Sequence, residues 1–158
     1  MINMKTNSGF TLIEVLIAML VLAVGLLGLA GMQATGIRNN LSAYNRSLAT
    51  QLAYDMADRM RSNVADAGTF GASTYITLLP TAAAAQGSCT AVAGACTTAQ
   101  MAQQDLFEWN QNLANLPIGF GAIAVDANNL FTITVNWDDN RDGNRDNNDP
   151  NFQVIFQL

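Results

Sequence analysis

The densest set of chemically capable residues in this chain is the run DDNRDGNRDNND at 138–149. Asp138, Asn140 and Asp142 hold the first, third and fifth places of a calcium-loop pattern, and Gly143 holds the sixth. Asn144 would offer its carbonyl at the seventh place, with Asp146 at the ninth and Asp149 at the twelfth. Alternating oxygen donors around a glycine turn suit a hard cation, so calcium is the ion these residues would take. Against that reading, Asp149 replaces the usual glutamate, strands flank the run in place of helices, and Arg141 and Arg145 dilute its charge. A solvated hairpin tip accounts for the same residues, and both readings stay open.

Two other features could carry chemistry. Glu14 stands at the start of an otherwise apolar stretch, and a carboxylate in hydrocarbon costs about 2.5–3.5 kcal/mol even on lenient scales. Such a group faces protein or water and has a role. Cys89 and Cys96 fit neither zinc spacing nor a CxxC redox motif. Outside the cytoplasm they predict a structural disulfide closing a small loop, contributing about 2–3 kcal/mol.

Enzymatic classes find little support. The 158 residues include no His, and Lys5 is the single lysine, so a Ser or Cys nucleophile has no evident base. Asp138 and Asp139 form an adjacent carboxylate pair but lie in a polar loop without an aromatic cleft. The formal charge is -5, the pI is about 4.3, and the seven basic residues are scattered, which argues against a nucleic-acid partner.

The elements that must position these residues are few. From Val15 to Met32 there is no charge or strongly polar group, and Phe10–Ile13 extend the run to bilayer-spanning length. Lys5 precedes it and Arg38 follows it, which favours a cytoplasmic N-terminus and a single pass. A cleaved secretory signal could use the small residues between Ala23 and Gly31, but Glu14 and the continuing helical pattern oppose it. Leu41, Tyr44, Leu48, Leu52, Met56 and Met60 recur every three or four residues with Ala49, Ala53 and Ala57 alongside. Asn45, Arg46, Gln51, Asp55, Asp58 and Arg59 fall on the opposite face. A helix from Phe10 to about Arg61 would reach roughly 78 Å, with Gly68 as a stop, and the glycines between 25 and 36 leave open both a continuous helix and local unwinding. The middle of the chain reads as a loop with at most a short strand at Tyr75–Leu79.

Thr97 and Gln100 form a capping box for a second helix with Ala102, Leu106, Trp109 and Leu113 on one side, ended by Pro117. Trp109 at this spacing reads as core. Antiparallel strands follow: one begins at Ile123 and Val125, and the next has Phe131, Ile133, Val135 and Trp137 inward. The last has Phe152, Val154, Phe156 and Leu158 inward. A small sheet laid on the apolar face of the long helix would bury both, an α+β arrangement.

The string GFTLIEVLIAMLVLAVGLLGLAGM resembles the signal of type IV prepilins and related pseudopilins. That resemblance implies cleavage between Gly9 and Phe10 by a prepilin peptidase on the cytoplasmic side, whether Met1 or Met4 initiates, and methylation of Phe10. It places Glu14 fifth in the mature chain, where the family's glutamate meets the N-terminal amine of a neighbouring subunit. A second stretch, DLFEWNQNLANLPIGFG, resembles the minor pilins known as type IV pilus modification proteins, PilV, through Asp105, Trp109, Leu113, Leu116, Pro117 and Gly119. The implied organisation is a leader at 1–9, a membrane and assembly helix at 10–35, and a periplasmic pilin-like domain at 36–158. Implied partners are other major and minor pilins, the peptidase and an inner-membrane assembly platform. The implied location is the inner membrane and then the cell-surface pilus. Alternatives are a pseudopilin of a type II secretion system, or an adhesion or DNA-uptake subunit.

Overall fold

A computed structural model describes residues 9–90 and 95–158; Lys5 and the other residues of the expected leader before Gly9 lie outside them. The chain divides into two units, Met1–Leu41 and Ser42–Leu158. Helix α1, Leu12–Ser62, contributes to both. Its hydrogen-bonded course is unbroken through Gly25, Gly28, Gly31 and Gly36, so of the two readings the continuous helix holds.

In the first unit the apolar side chains of α1 are uncovered among the described residues. Leu12, Leu16, Leu20, Val24, Leu27 and Met32 are all exposed. This is a helix long and apolar enough to cross a membrane.

In the second unit, α1 buries Asn45, Ala49, Leu52, Ala53, Met56, Ala57 and Met60. From Ala49 onward the stripe is the one the sequence predicts, and it departs from it at the N-terminal end of the unit. Tyr44 is 63% exposed and Leu41, just outside the unit, is also exposed, whereas Asn45, expected on the polar face, is only 6% exposed. The alanines let neighbouring chain approach the helix backbone closely, and they outweigh the larger Leu41 and Tyr44 in choosing the buried face.

The middle segment corrects the expectation of a loop with a strand. After α1 come α2 (Val64–Ala67), a 3-10 turn (Phe70–Ala72), α3 (Thr74–Thr77), a second 3-10 turn (Pro80–Ala82) and α4 (Gly87–Thr90). Gly68 caps α2 rather than the long helix. Tyr75 and Ile76 have strand propensity, yet they lie in a helical turn because polar contacts decide locally. The Ser73 hydroxyl caps the turn by accepting from Tyr75 N (3.2 Å). The Asp66 carboxylate accepts from Ser73 Oγ, Thr74 N and Thr74 Oγ1, each at 2.8 Å.

Helix α5 spans Thr98–Leu113, with the capping box between Thr97 and Gln100 formed as the sequence predicts. It ends four residues before Pro117. Leu116 N donates to Leu113 O (3.0 Å), and Ile118 adopts a φ of 44°, turning the chain into the sheet. Strands β1 (Phe120–Val125), β2 (Phe131–Asn136) and β3 (Asn151–Phe156) pair antiparallel in the order β1-β2-β3. Phe131, Ile133, Val135 and Trp137 are buried, as alternation requires, with Val154 and Phe156 from β3. Leu158 lies beyond β3 and is 36% exposed, so it does not extend the inward row.

Trp109, like Trp137, is a fully buried tryptophan, and its indole Nε1 donates to Leu52 O (2.9 Å), joining α5 to α1. Its ring lies against Gly121 of β1, where a Cβ would stand 2.3 Å and 2.4 Å from two ring carbons and 2.8 Å from a Leu113 methyl. Gly121→Ala is therefore expected to overpack the core and cost about 1–3 kcal/mol. Urea unfolding of the detergent-solubilised chain, followed by near-UV circular dichroism, would show it; an unchanged midpoint would refute the contact.

Candidate functional site

Glu14 sits in the first turn of α1, where its backbone N donates to Thr11 O (3.1 Å) and the helix dipole favours a negative charge. Phe10 precedes the helix and is 85% exposed. Phe10, Glu14, Val15, Ala18, Met19 and Leu22 share one face. Among the described residues Glu14 has no ion pair within the chain. This face therefore combines a carboxylate, a free apolar strip and a small residue, the components of a surface that packs against another helix. Gly9 is exposed, with nothing within 4 Å of where a Cβ would stand.

A polar hub joins α1, α5 and the middle segment. Arg59 pairs with Asp55 (3.0 Å), Asp105 (3.0 Å) and Glu108 (2.8 Å). Tyr75 Oη donates to Asp105 Oδ2, and Asn63 Nδ2 donates to Thr98 O (2.8 Å). Burial and the Asp105 contact push the Tyr75 phenol far above its ordinary range. Hydrogen bonds from Gln104 and Arg59 hold the Glu108 carboxyl below the usual carboxylate range. The hub gathers three carboxylates around the one Arg59 guanidinium and ties α1 to α5, so it holds elements together. Asp105, Trp109, Leu113 and Leu116, singled out in sequence, are all buried here.

The structure bonds Cys89 to Cys96, with a Cα–Cα distance of 4.9 Å. Part of the loop between them, 91–94, lies outside the described residues.

The acidic loop divides into two jobs. Asp138 is not solvated: it is 2% exposed, and its Oδ2 accepts from Gly143 N (3.0 Å). Asp142 Oδ1 accepts from Asn144 N (2.8 Å), and Asn140 Nδ2 donates to Asp142 Oδ2 (3.1 Å). Asp146 accepts from Asn148 N (2.7 Å), and Asp149 accepts from both Asp139 N (3.2 Å) and Asp146 N (3.0 Å). Asp139 turns away from these groups toward α1, where its carboxylate accepts from Ser42 Oγ (2.6 Å), Asn45 Nδ2 (3.4 Å) and Trp137 Nε1 (3.0 Å). Sequence reasoning missed this clamp. Its partners on α1 lie 94 and 97 positions away in sequence, and only the burial of Asn45 betrays them.

The comparisons with known families follow from the same two regions. Residues 4–30 match the prokaryotic N-terminal methylation motif, which covers Gly9, Phe10 and Glu14. Residues 31–107 match the family described as Type IV pilin Tt1218. Running end to end, the two matches make residues 4–107 similar to a type IV pilin family and to the N-terminal methylation motif. Trp109, the sheet and the acidic loop lie beyond both. No curated protein and no solved structure matches the chain.

Burial raises the Asp139 pKa, but hydrogen bonds from Ser42, Trp137 and Asn45, with attraction to Arg141, outweigh it and hold the carboxyl below its usual range. A depressed folded-state pKa contributes stability that is complete above the ordinary carboxylate pKa and is lost as pH falls through the depressed value. Acid unfolding should thus steepen below about pH 4. Asp139→Ala should cost about 2–3 kcal/mol at neutral pH, since three donors lose their acceptor, and should flatten that acid dependence. Chemical unfolding at pH 7 and pH 3 checks both.

Proposed function

We propose that the chain is a minor pilin subunit that joins a type IV pilus or primes its assembly, in the manner of the PilV-like minor pilins it resembles. The observation that carries the reading is a lone carboxylate, Glu14, in the first turn of an exposed apolar helix directly after Gly9-Phe10. A prepilin peptidase would cut between Gly9 and Phe10 at the cytoplasmic face of the inner membrane, leaving a methylated Phe10 amine. The protein would wait as a single-pass precursor with Ser42–Leu158 in the periplasm. Entry into the filament would bring Glu14 against the Phe10 amine of a neighbouring subunit. Opposite charges in low dielectric compensate one another only when paired, so the group that resists lipid favours docking among pilins.

Type IV pilins are structural proteins, and the network around Arg59 serves that role by holding the headgroup together. The arrangement DLFEWNQNLANLP supports a pilus over a type II secretion system through its PilV resemblance, of whose residues Asp105, Trp109, Leu113 and Leu116 are buried. Deleting the gene and scoring surface pili against protein secretion separates the two; lost secretion with normal piliation would favour the pseudopilin.

Two further outcomes are expected. Mass spectrometry of the mature protein should find N-methylated Phe10 as the first residue, and Gly9→Val should leave precursor in the inner membrane; a mature N-terminus near Gly31 would refute the assignment. Glu14→Ala should insert in the membrane as well as wild type does but be depleted from sheared pili by about tenfold or more, the equivalent of about 1.4 kcal/mol. Wild-type amounts in the sheared fraction would show the pairing to be dispensable.

A further inference from the structure

Both outer strands of the sheet lack an outside partner. Among the described residues, the backbones of β1 and β3 hydrogen-bond only to β2. Such edges are templates for another strand, and proteins ordinarily guard them with charges, proline or a bulge. Neither edge here carries a guard. Phe120–Val125 and Asn151–Phe156 contain no charged residue and no proline, and each pairs with β2 residue for residue, without a bulge. On the outer face beside these edges Ala122, Ala124, Gln153 and Ile155 are exposed, Ile155 to 63%.

Charge narrows the choice of partner. Ser42–Leu158 carries five arginines against eleven carboxylates, so its net charge makes two copies repel. The two uncharged edges are where copies can meet without opposing like charges. Direction narrows the choice further. β1 and β3 both run antiparallel to β2 and hence parallel to each other. Copies emerging from one face of a membrane have their strands running the same way, so a neighbour reaches β3 only in parallel. Its β1 fits with the pleat in phase, because Gly121, Ile123 and Val125 then continue the inward row of Phe152, Val154 and Phe156. Its β3 would fit only with the copy turned back to front, which sets the two inward faces on opposite sides of the sheet. The first fit also brings opposite charges to one end. Arg61 lies over the Phe156 ring at the end of β3, and Asp126 directly follows the end of β1.

We propose that the β3 edge docks β1 of a second copy as a parallel fourth strand. The two strands are of equal length, six residues each, and flush pairing sets Ala122 beside Gln153 and Ala124 beside Ile155. Backbone hydrogen bonds supply the affinity and the pleat supplies the register. The contact is heterologous: one edge receives and the other is offered, so each copy keeps an open end. Such contacts propagate as a filament does, whereas a twofold contact closes on itself. The inference rests on the reading of the chain as a membrane-anchored pilin in one respect, that neighbouring copies share a direction.

Two differently tagged full-length copies are co-expressed and cross-linked by oxidation in inner-membrane vesicles, one carrying Gln153→Cys and the other Ala122→Cys. Paired strands lie about 4.8 Å apart, within the reach of a disulfide. Mixed-tag dimers should exceed those between two Gln153→Cys copies by about tenfold. Ile155→Lys, added to the Gln153→Cys copy, places a guard at an exposed position. It should leave the melting temperature unchanged and cut cross-linking by about tenfold, and Ala124→Asp in the partner copy should restore it. Mixed-tag product no greater than that of the Gln153→Cys pair, or undiminished cross-linking with Ile155→Lys, would overturn the contact. Methylation of Phe10, read by mass spectrometry in the same vesicles, separates such a failure from a failure of the pilin reading.

Discussion

Close packing against the alanine stripe of α1 is the constraint from which the second unit follows. Ala49, Ala53 and Ala57 are fully buried between Leu52, Met56 and Met60, so neighbouring chain can come up to the helix backbone itself. That proximity lets the Trp109 indole reach the Leu52 carbonyl, and the Trp109 ring in turn demands a residue without a side chain at 121. Helix, helix and strand are thus matched to one another at a single contact, and volume changes anywhere along it are felt by all three.

Polar groups then fix what apolar burial leaves free. Hydrophobic area does not by itself set the register of one element on another, whereas matched charges and hydrogen bonds do. Arg59 and Asp105 pin α5 against α1, Asp66 folds the middle segment on itself, and Asp139 holds the end of the sheet to Ser42 and Asn45. These contacts hold the unit in one shape, as the proposed role of a pilin headgroup would require. The first unit has a different requirement: its apolar surface is left uncovered by its own chain, as a segment bound for lipid or for neighbouring helices must be.

The acidic loop joins these themes. Neighbouring aspartates, Asp138 and Asp139, face different surroundings because adjacent residues leaving a strand point to opposite sides. One clamps α1 and the other is buried beside a glycine turn. A run that reads as uniformly polar therefore contains both a structural tie and an unpaired buried acceptor.

Much of this protein is legible without coordinates. An uninterrupted apolar run needs no tertiary context to require lipid or helix partners, and a capping box or alternating strand is a local pattern with a local cause, so α1, the start of α5 and β2 could be read from their residues. The leader motif containing Gly9, Phe10 and Glu14 is likewise contiguous. What the chain order hides depends on particular side-chain partners that periodicity does not name: the burial of Asn45, the helical turn at Thr74–Thr77 in place of a strand, and the split roles of Asp138 and Asp139. In each, a side chain near one element meets an acceptor, donor or void supplied by another part of the chain, and the free energy of that meeting exceeds the propensities that local sequence expresses.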